Sequence, residues 1–278
     1  MKSMIDGKFY DEIVANNIVS AFHDNLRIYE VIRIIEGIPL FIEDHYNRLI
    51  ASSKAKNISI FFTLKDFRKF LKEIIHENNT LNCNLMIECF FNEDTFHFYI
   101  FPRKHYYPKS SEYSKGVNLE LIEIERPDPN VKLVDETYNE LTNQAKSKPG
   151  IFEVLLVNKS GFITEASKAN VFFIMGNQVV SPLSKQILMG VTRKHAIEAI
   201  GKAGISFIEK NVSINDLSIC DGVFLTGTSL HLLPVAKVRE KDFHTSENEV
   251  FIVAKKEFEK IVHHYLTEEG ITFDKSEY

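Results

Sequence analysis

The chain has 278 residues and a mass of 32.0 kDa, enough to bury a sizeable core divided between two domains. With 38 acidic against 33 basic residues the net charge is −5 and the pI about 6.1, so the sequence has no electrostatic footprint for nucleic acid and none is expected as a partner. The opening MKSMIDGKFYDE lacks the apolar core of a secretory signal, and no stretch approaches the roughly 18 apolar residues of a membrane span, so a cytoplasmic protein without a membrane partner is expected.

In chain order, residues 28–35 (IYEVIRII) and 39–42 (PLFI) flank the turn Glu36-Gly37-Ile38 and read as a hairpin. Its outgoing strand leads into a helix from about Glu43, with Tyr46, Leu49 and Ile50 on its apolar side. A second amphipathic helix is expected over about 64–77, and strands over 84–91 and 95–101 close this first unit. The polar segment 104–116 (KHYYPKSSEYSKG) is the best linker, which places a domain boundary near residue 110 and gives domains 1–110 and 111–278. Beyond it, VNLELIEI reads as a strand, Asp135 to Lys148 as a helix, and FEVLLV, FIT and NVFFIM as a run of strands. A helix follows Gly190, ISFIEK is a strand, GVFLTGTS is a strand leaving into a turn, and a long helix covers about 247–266.

Cys83, Cys89 and Cys220 form no C-x-x-C pair and read as buried thiols, and the ten histidines show no ligand spacing, so no metal is expected. His263-His264 reads as solvated surface. Four fragments carry possible chemistry. "HYNRL" puts Arg48 on the first predicted helix; such an arginine grips phosphate bidentately, although one on a helix is more often a surface residue or a structural ion pair. "LMGVTRKH" starts a helix at Gly190, with Val191 and Thr192 in a first turn suited to an anion or to plain capping. "FLTGTS" ends a strand in Thr226-Gly227-Thr228-Ser229, again an anion turn or an ordinary one. Lys132, between a strand and a helix, is either a solvated residue or a Schiff-base nucleophile.

Taken together, HxxRL, a lysine, TE-x-x-x-x-N-x-F beginning 32 residues later at Thr164, a Gly-x-Thr-Arg helix start and T-G-T resemble the fold-type IV, or class IV, pyridoxal-phosphate (PLP) aminotransferases, from about Tyr29 to Ala236. The group includes branched-chain and D-amino acid aminotransferases and 4-amino-4-deoxychorismate lyase. The resemblance implies an α+β (mixed α/β) fold, with a small N-terminal α/β domain and a larger C-terminal domain on a barrel-like mixed sheet. It implies PLP as cofactor, with Lys132 as the catalytic Schiff-base lysine and Glu165 at the pyridine nitrogen. Arg48, Val191, Thr192 and Thr228 fall at the phosphate-binding positions, and Tyr138 near that of the tyrosine on the cofactor's 3-hydroxyl. Tyr29 and Arg33 in "YEVIR", with Ser229, are the candidates for substrate contact. The implied reaction moves an amino group between an amino acid and a 2-oxo acid, in a homodimer with the site at the interface.

Several positions depart from the family's pattern. Leu133 follows the lysine where Thr or Ser is usual, Ala166 follows Glu165 where Gly is usual, and Tyr138 lies six residues after Lys132 rather than five. Phe90-Phe91-Asn92-Glu93-Asp94 replaces the arginine that D-amino acid members carry there. Two alternatives stay open: the lyase on the same scaffold, and a PLP-fold protein without catalysis.

Overall fold

The computed structural model describes residues 1–22, 25–92 and 95–275, leaving Glu93 and Asp94 of the departing segment outside the described residues. The chain divides into two compact units: 1–106 with 131–134 and 262–278, and 107–130 with 135–261. This differs from a single cut near residue 110 in two respects. The four residues around Lys132 belong to the first unit, and so does the end of the last helix.

The first unit contains β1 (Lys2–Ile5), β2 (Lys8–Asp11), α1 (Glu12–Ser20), β3 (Leu26–Ile35), β4 (Ile38–Pro39), α2 (Ile42–Ala55), α3 (Leu64–Asn78), β5 (Cys83–Phe91) and β6 (Phe96–Arg103). The six strands form an antiparallel sheet in the order β2-β1-β6-β5-β3-β4. Glu36 and Gly37 both have positive φ, 53° and 81°, as a tight two-residue hairpin turn requires. The outgoing strand is shorter than 39–42, because Phe41 turns left-handed (φ 55°) and α2 starts at Ile42. α3 begins with a reciprocal cap: Thr63 Oγ1 accepts from Asp66 N (3.2 Å), and Asp66 Oδ2 accepts from Thr63 N (2.8 Å).

Strand alternation sets the core of this unit. Ile28, Ile32 and Ile34 of β3 join Leu85, Ile87 and Cys89 of β5 beneath Leu49 of α2 and Phe67, Leu71 and Ile74 of α3. Each such side chain contributes about 1.5–3 kcal/mol when fully buried. One member of the β3 series breaks the pattern, since Glu30 lies on the core face and is completely buried.

The second unit holds α4 (Ser110–Lys115), β7 (Val117–Glu123), α5 (Glu136–Lys146), β8 (Glu153–Val157), β9 (Phe162–Ala166), β10 (Asn170–Met175), β11 (Gln178–Ser181), α6 (Val191–Lys202), β12 (Ser206–Glu209), β13 (Val212–Ser213), β14 (Gly222–Gly227), β15 (His231–Val238) and β16 (Lys241–Asp242). Its mixed sheet runs β12-β11-β10-β14-β15-β7-β8-β9-β13, with β16 on β15. Strands far apart in that order, among them β7, β9, β11 and β15, contribute to one apolar core, so the sheet curls into a half-barrel. This is the mixed α/β architecture expected from the resemblance. The last helix, α7 (Glu249–Lys275), runs beyond 266, and Phe273 is buried in the first unit's core. His263 and His264 are exposed on it, and Cys89 and Cys220 are buried free thiols.

Part of the predicted linker is folded. Residues 110–115 form α4, and Tyr113 donates its hydroxyl to the Leu230 carbonyl at 2.9 Å. Gly116 closes this helix at φ 81°, where a Cβ would stand 2.7 Å from the Ala236 amide nitrogen, so only glycine fits.

Candidate active site

In the first unit, three residues of α2 and one of β3 make a buried polar knot. His45, Arg48 and Ser52 recur at helical spacing and therefore share a face. Arg48 donates to Glu30 through Nε (2.7 Å) and a terminal nitrogen (2.6 Å), and His45 Nδ1 lies 2.8 Å from the same carboxylate. Burial alone would raise the Glu30 pKa, but the Arg48 charge and the hydrogen bonds from Arg48 and His45 outweigh it and hold it at about 2. Burial lowers the His45 pKa despite Glu30, with Arg48 and Lys132 adding to the effect. His45 is therefore a neutral donor to Glu30 rather than its ion-pair partner.

This knot also holds the segment that carries the lysine. Ser52 Oγ accepts from the Lys132 amide (3.3 Å), and the Lys132 carbonyl accepts from Tyr29 N (3.0 Å). Leu133 bridges Ile28 and packs on the first core, which gives the leucine that departs from the family's pattern a packing role. The Lys132 ammonium lies 4.3 Å from the centre of the Tyr29 ring. Thus Tyr29 and Lys132 meet within one unit, Arg48 shares its helix face with the Ser52 that holds the lysine's amide, and Arg33 lies four residues along β3 on the face that carries Tyr29.

In the second unit Glu165 is 2% exposed near the end of β9. Against β8, Ile163 pairs with Val157 and Ala166 with Leu155, so β9 carries one extra residue between those pairs. This bulge lets both Ile163 and Ala166 enter the core while Thr164 and Glu165 occupy the interval. The Ala166 methyl is thus accommodated in the core. Glu165 Oε2 accepts from Leu188 N (3.1 Å), and Oε1 lies 3.0 Å from Arg126 Nε.

Arg126 also donates to the Ser167 carbonyl (3.0 Å), which accepts from the Tyr138 hydroxyl at 3.0 Å as well. Burial raises the Tyr138 pKa to about 12 against the pull of Arg126, so the phenol stays protonated and donates. Arg126 has no sequence signature, since nothing in "ERPDPN" singles it out. Glu30 did carry a signal, because its acid occupies an apolar phase of "IYEVIRII".

Asn170 connects the remaining fragments. Its Nδ2 donates to the Leu188 carbonyl (2.8 Å), and it pairs with Thr226 across β10 and β14. A Cβ on Gly190 would lie 2.1 Å from Asn170 Oδ1, so glycine lets the start of α6 approach this side chain. Glu165, the Val191-Thr192 helix start and the Thr226–Ser229 turn are therefore joined through one residue. Val191, Thr192 and Ser229 are buried and Thr228 is half-buried.

These residues meet the requirements of a phosphorylated pyridine aldehyde. Among the described residues, no side chain caps α6 at Gly190, which leaves its first turn to an anion, and the buried Thr226 hydroxyl has no hydrogen-bond partner. Glu165 is a buried carboxylate that accepts from the Leu188 amide and faces the Arg126 guanidinium. Among the described residues, no group of His, Cys, Asp and Glu is arranged to hold a metal, and no helix is long and apolar enough to cross a membrane.

Comparison with known proteins gives the class. Residues 27–238 match the family "Amino-transferase class IV", and the chain belongs to that family of PLP-dependent aminotransferases. It is 25% identical over 231 residues to a D-alanine aminotransferase of Bacillus licheniformis, covering 76% of this chain and 78% of the relative. It is 24% identical over 257 residues to a putative branched-chain-amino-acid aminotransferase of Methanocaldococcus jannaschii, covering 86% and 88%. The fold matches the Escherichia coli branched-chain amino acid aminotransferase with a TM-score of 0.83 at 18% identity, over 94% of both chains. A putative 4-amino-4-deoxychorismate lyase from Legionella pneumophila matches with a TM-score of 0.76 at 18% identity, over 87% of this chain and 91% of that one.

Proposed function

We propose that Lys132 carries the cofactor and that Glu165 meets its pyridine nitrogen, in an enzyme that exchanges an amino group between an amino acid and a 2-oxo acid. When bound, PLP supplies an electron sink for the substrate's α-carbon. The protein residues have separate tasks. Glu165, buried and paired with Arg126, keeps a proton on the ring nitrogen. Lys132 would serve as the base that moves a proton to and from the substrate carbon through Nζ. Arg48, Val191, Thr192 and Thr228 hold the phosphate, with Glu30 orienting Arg48. Tyr138 supports the Glu165 end of the site through Ser167. Tyr29, Arg33 and Ser229 contact the substrate. We further propose a cytoplasmic homodimer.

The observation that carries this reading is the buried Glu165 carboxylate, fixed between Arg126 Nε (3.0 Å) and Leu188 N (3.1 Å). The lyase has less support, since the two named sequence relatives are aminotransferases and the lyase resemblance is one of fold. A screen of D- and L-amino donors with 2-oxoglutarate and pyruvate as acceptors tests the assignment. Donor-dependent formation of a new amino acid is the expected result. Pyruvate release from 4-amino-4-deoxychorismate without any acceptor would replace it with the lyase, and PLP binding without turnover of any donor would leave a non-catalytic protein.

A further inference from the structure

One buried acid of the second unit has no part in the scheme above. Glu153, the first residue of β8, is 5% exposed. Its Oε1 accepts from the Ser167 hydroxyl (2.5 Å) and from Val154 N (2.8 Å), and lies 3.6 Å from Lys146 Nζ. Lys146, in the last turn of α5, donates to Ser167 Oγ at 3.0 Å. An acid desolvated to this degree costs stability unless it is paired, and here Lys146 and the Val154 backbone, like Glu153 itself, also bond Ser167.

That serine is two residues beyond Glu165, in the turn between β9 and β10. Its backbone is held by Ser167 N donating to the Val154 carbonyl (3.1 Å). Its carbonyl is the acceptor shared by Arg126 (3.0 Å) and the Tyr138 hydroxyl (3.0 Å). Arg126 in turn faces Glu165 at 3.0 Å. The path therefore runs from Glu153 and Lys146, through both ends of Ser167, to the guanidinium that faces Glu165 and the phenol stacked against that guanidinium. α5 contributes at its two ends, with Tyr138 in its first turn and Lys146 in its last.

We infer that Glu153, with Lys146, is a positioning residue of the active site: by locking Ser167 it fixes Arg126 and Tyr138 and so sets the electrostatic environment of Glu165. This rests on the reading of Glu165 as the partner of the pyridine nitrogen. Glu153 and Lys146 do not touch the cofactor in this account, and their effect reaches it only through Ser167. Outer hydrogen-bond partners of this kind tune the groups they orient as well as stabilising the fold.

The test uses the full-length protein loaded with PLP, with Glu153→Gln, Ser167→Ala and a control, Ile74→Val, in the core of the other unit. Three quantities are read: the Kd for PLP, the pH midpoint of the visible cofactor band, and Tm. The expected result is that Glu153→Gln and Ser167→Ala each raise Kd about five- to tenfold and move the midpoint by about half a pH unit or more. Ile74→Val should lower Tm and leave both other readings unchanged. If Glu153→Gln does not fold, Ser167→Ala decides the question alone. Wild-type Kd and midpoint in these two variants, with only Tm reduced, would overturn the inference and leave a purely structural network. A wild-type protein that gives no PLP band at all would overturn the cofactor reading and this role together, and that outcome is recognisable before any variant is made.

Discussion

Glu30 binds Arg48 through both carboxylate oxygens, at 2.7 and 2.6 Å, on the apolar face of β3. A carboxylate at that position is tolerated because α2 delivers a guanidinium and a neutral imidazole to it one helical turn apart. The same helix holds the Lys132 amide through Ser52, so the ion pair and the lysine share one support.

Glu30→Gln leaves the Arg48 charge without its buried counterion, and we expect a loss of about 3–5 kcal/mol in urea unfolding at neutral pH, with weaker PLP binding. A loss under about 1 kcal/mol would mean that the pair adds little to the fold.

The pH dependence follows from the same pair. Glu30 has a pKa of about 2 in the folded chain against an ordinary 4.5. Its stabilisation, on the order of 3 kcal/mol, is therefore complete above about pH 4.5 and is lost as the pH falls towards 2. The His45 pKa lies below its ordinary 6.5, so its contribution too is present above that value and declines on acidification. Urea melts across this range should show wild-type stability falling steeply below pH 4.5, and Glu30→Gln should start lower and fall less.

Arg126→Met removes the guanidinium from Glu165, Ser167 and Tyr138 at once. The expected result is a ten- to hundredfold weaker affinity for PLP, partly recovered by Arg126→Lys, in a cofactor titration. Unchanged affinity would show that Glu165 does not depend on its pairing.

Gly190→Ala brings a methyl to within 2.1 Å of Asn170 Oδ1 and should cost about 1–3 kcal/mol. Asn170→Ala alone loses the Leu188 bond, and in the double variant part of the Gly190→Ala cost should vanish, because the clash is gone. Strict additivity would argue that the two residues act independently.

The elements that were legible in the sequence are those with a strong local pattern. α3 has a full apolar stripe and a Thr63–Asp66 cap, and β5 and β6 are dense runs of apolar and aromatic residues, so each lies within a few residues of its expected place. The Lys132, Glu165 and Gly190 fragments were found by their order along the chain. What could not be read depends on tertiary partners. The bulge in β9 is defined only by its register against β8, and the four residues at Lys132 join the first unit through pairing with β3, the Ser52 hydroxyl and packing of Leu133 on the core. β15 carries Pro234 and a His231 at positive φ, and its local pattern gave no strand. Arg126 lies in a polar, proline-containing loop whose composition gives no hint of a buried carboxylate nearby.

The most direct measurement of the central claim is borohydride reduction of the PLP-loaded protein followed by peptide mapping. The account predicts a phosphopyridoxyl group on Lys132 and no such label in Lys132→Ala. Label on a different lysine, or none in the wild-type protein, would contradict it.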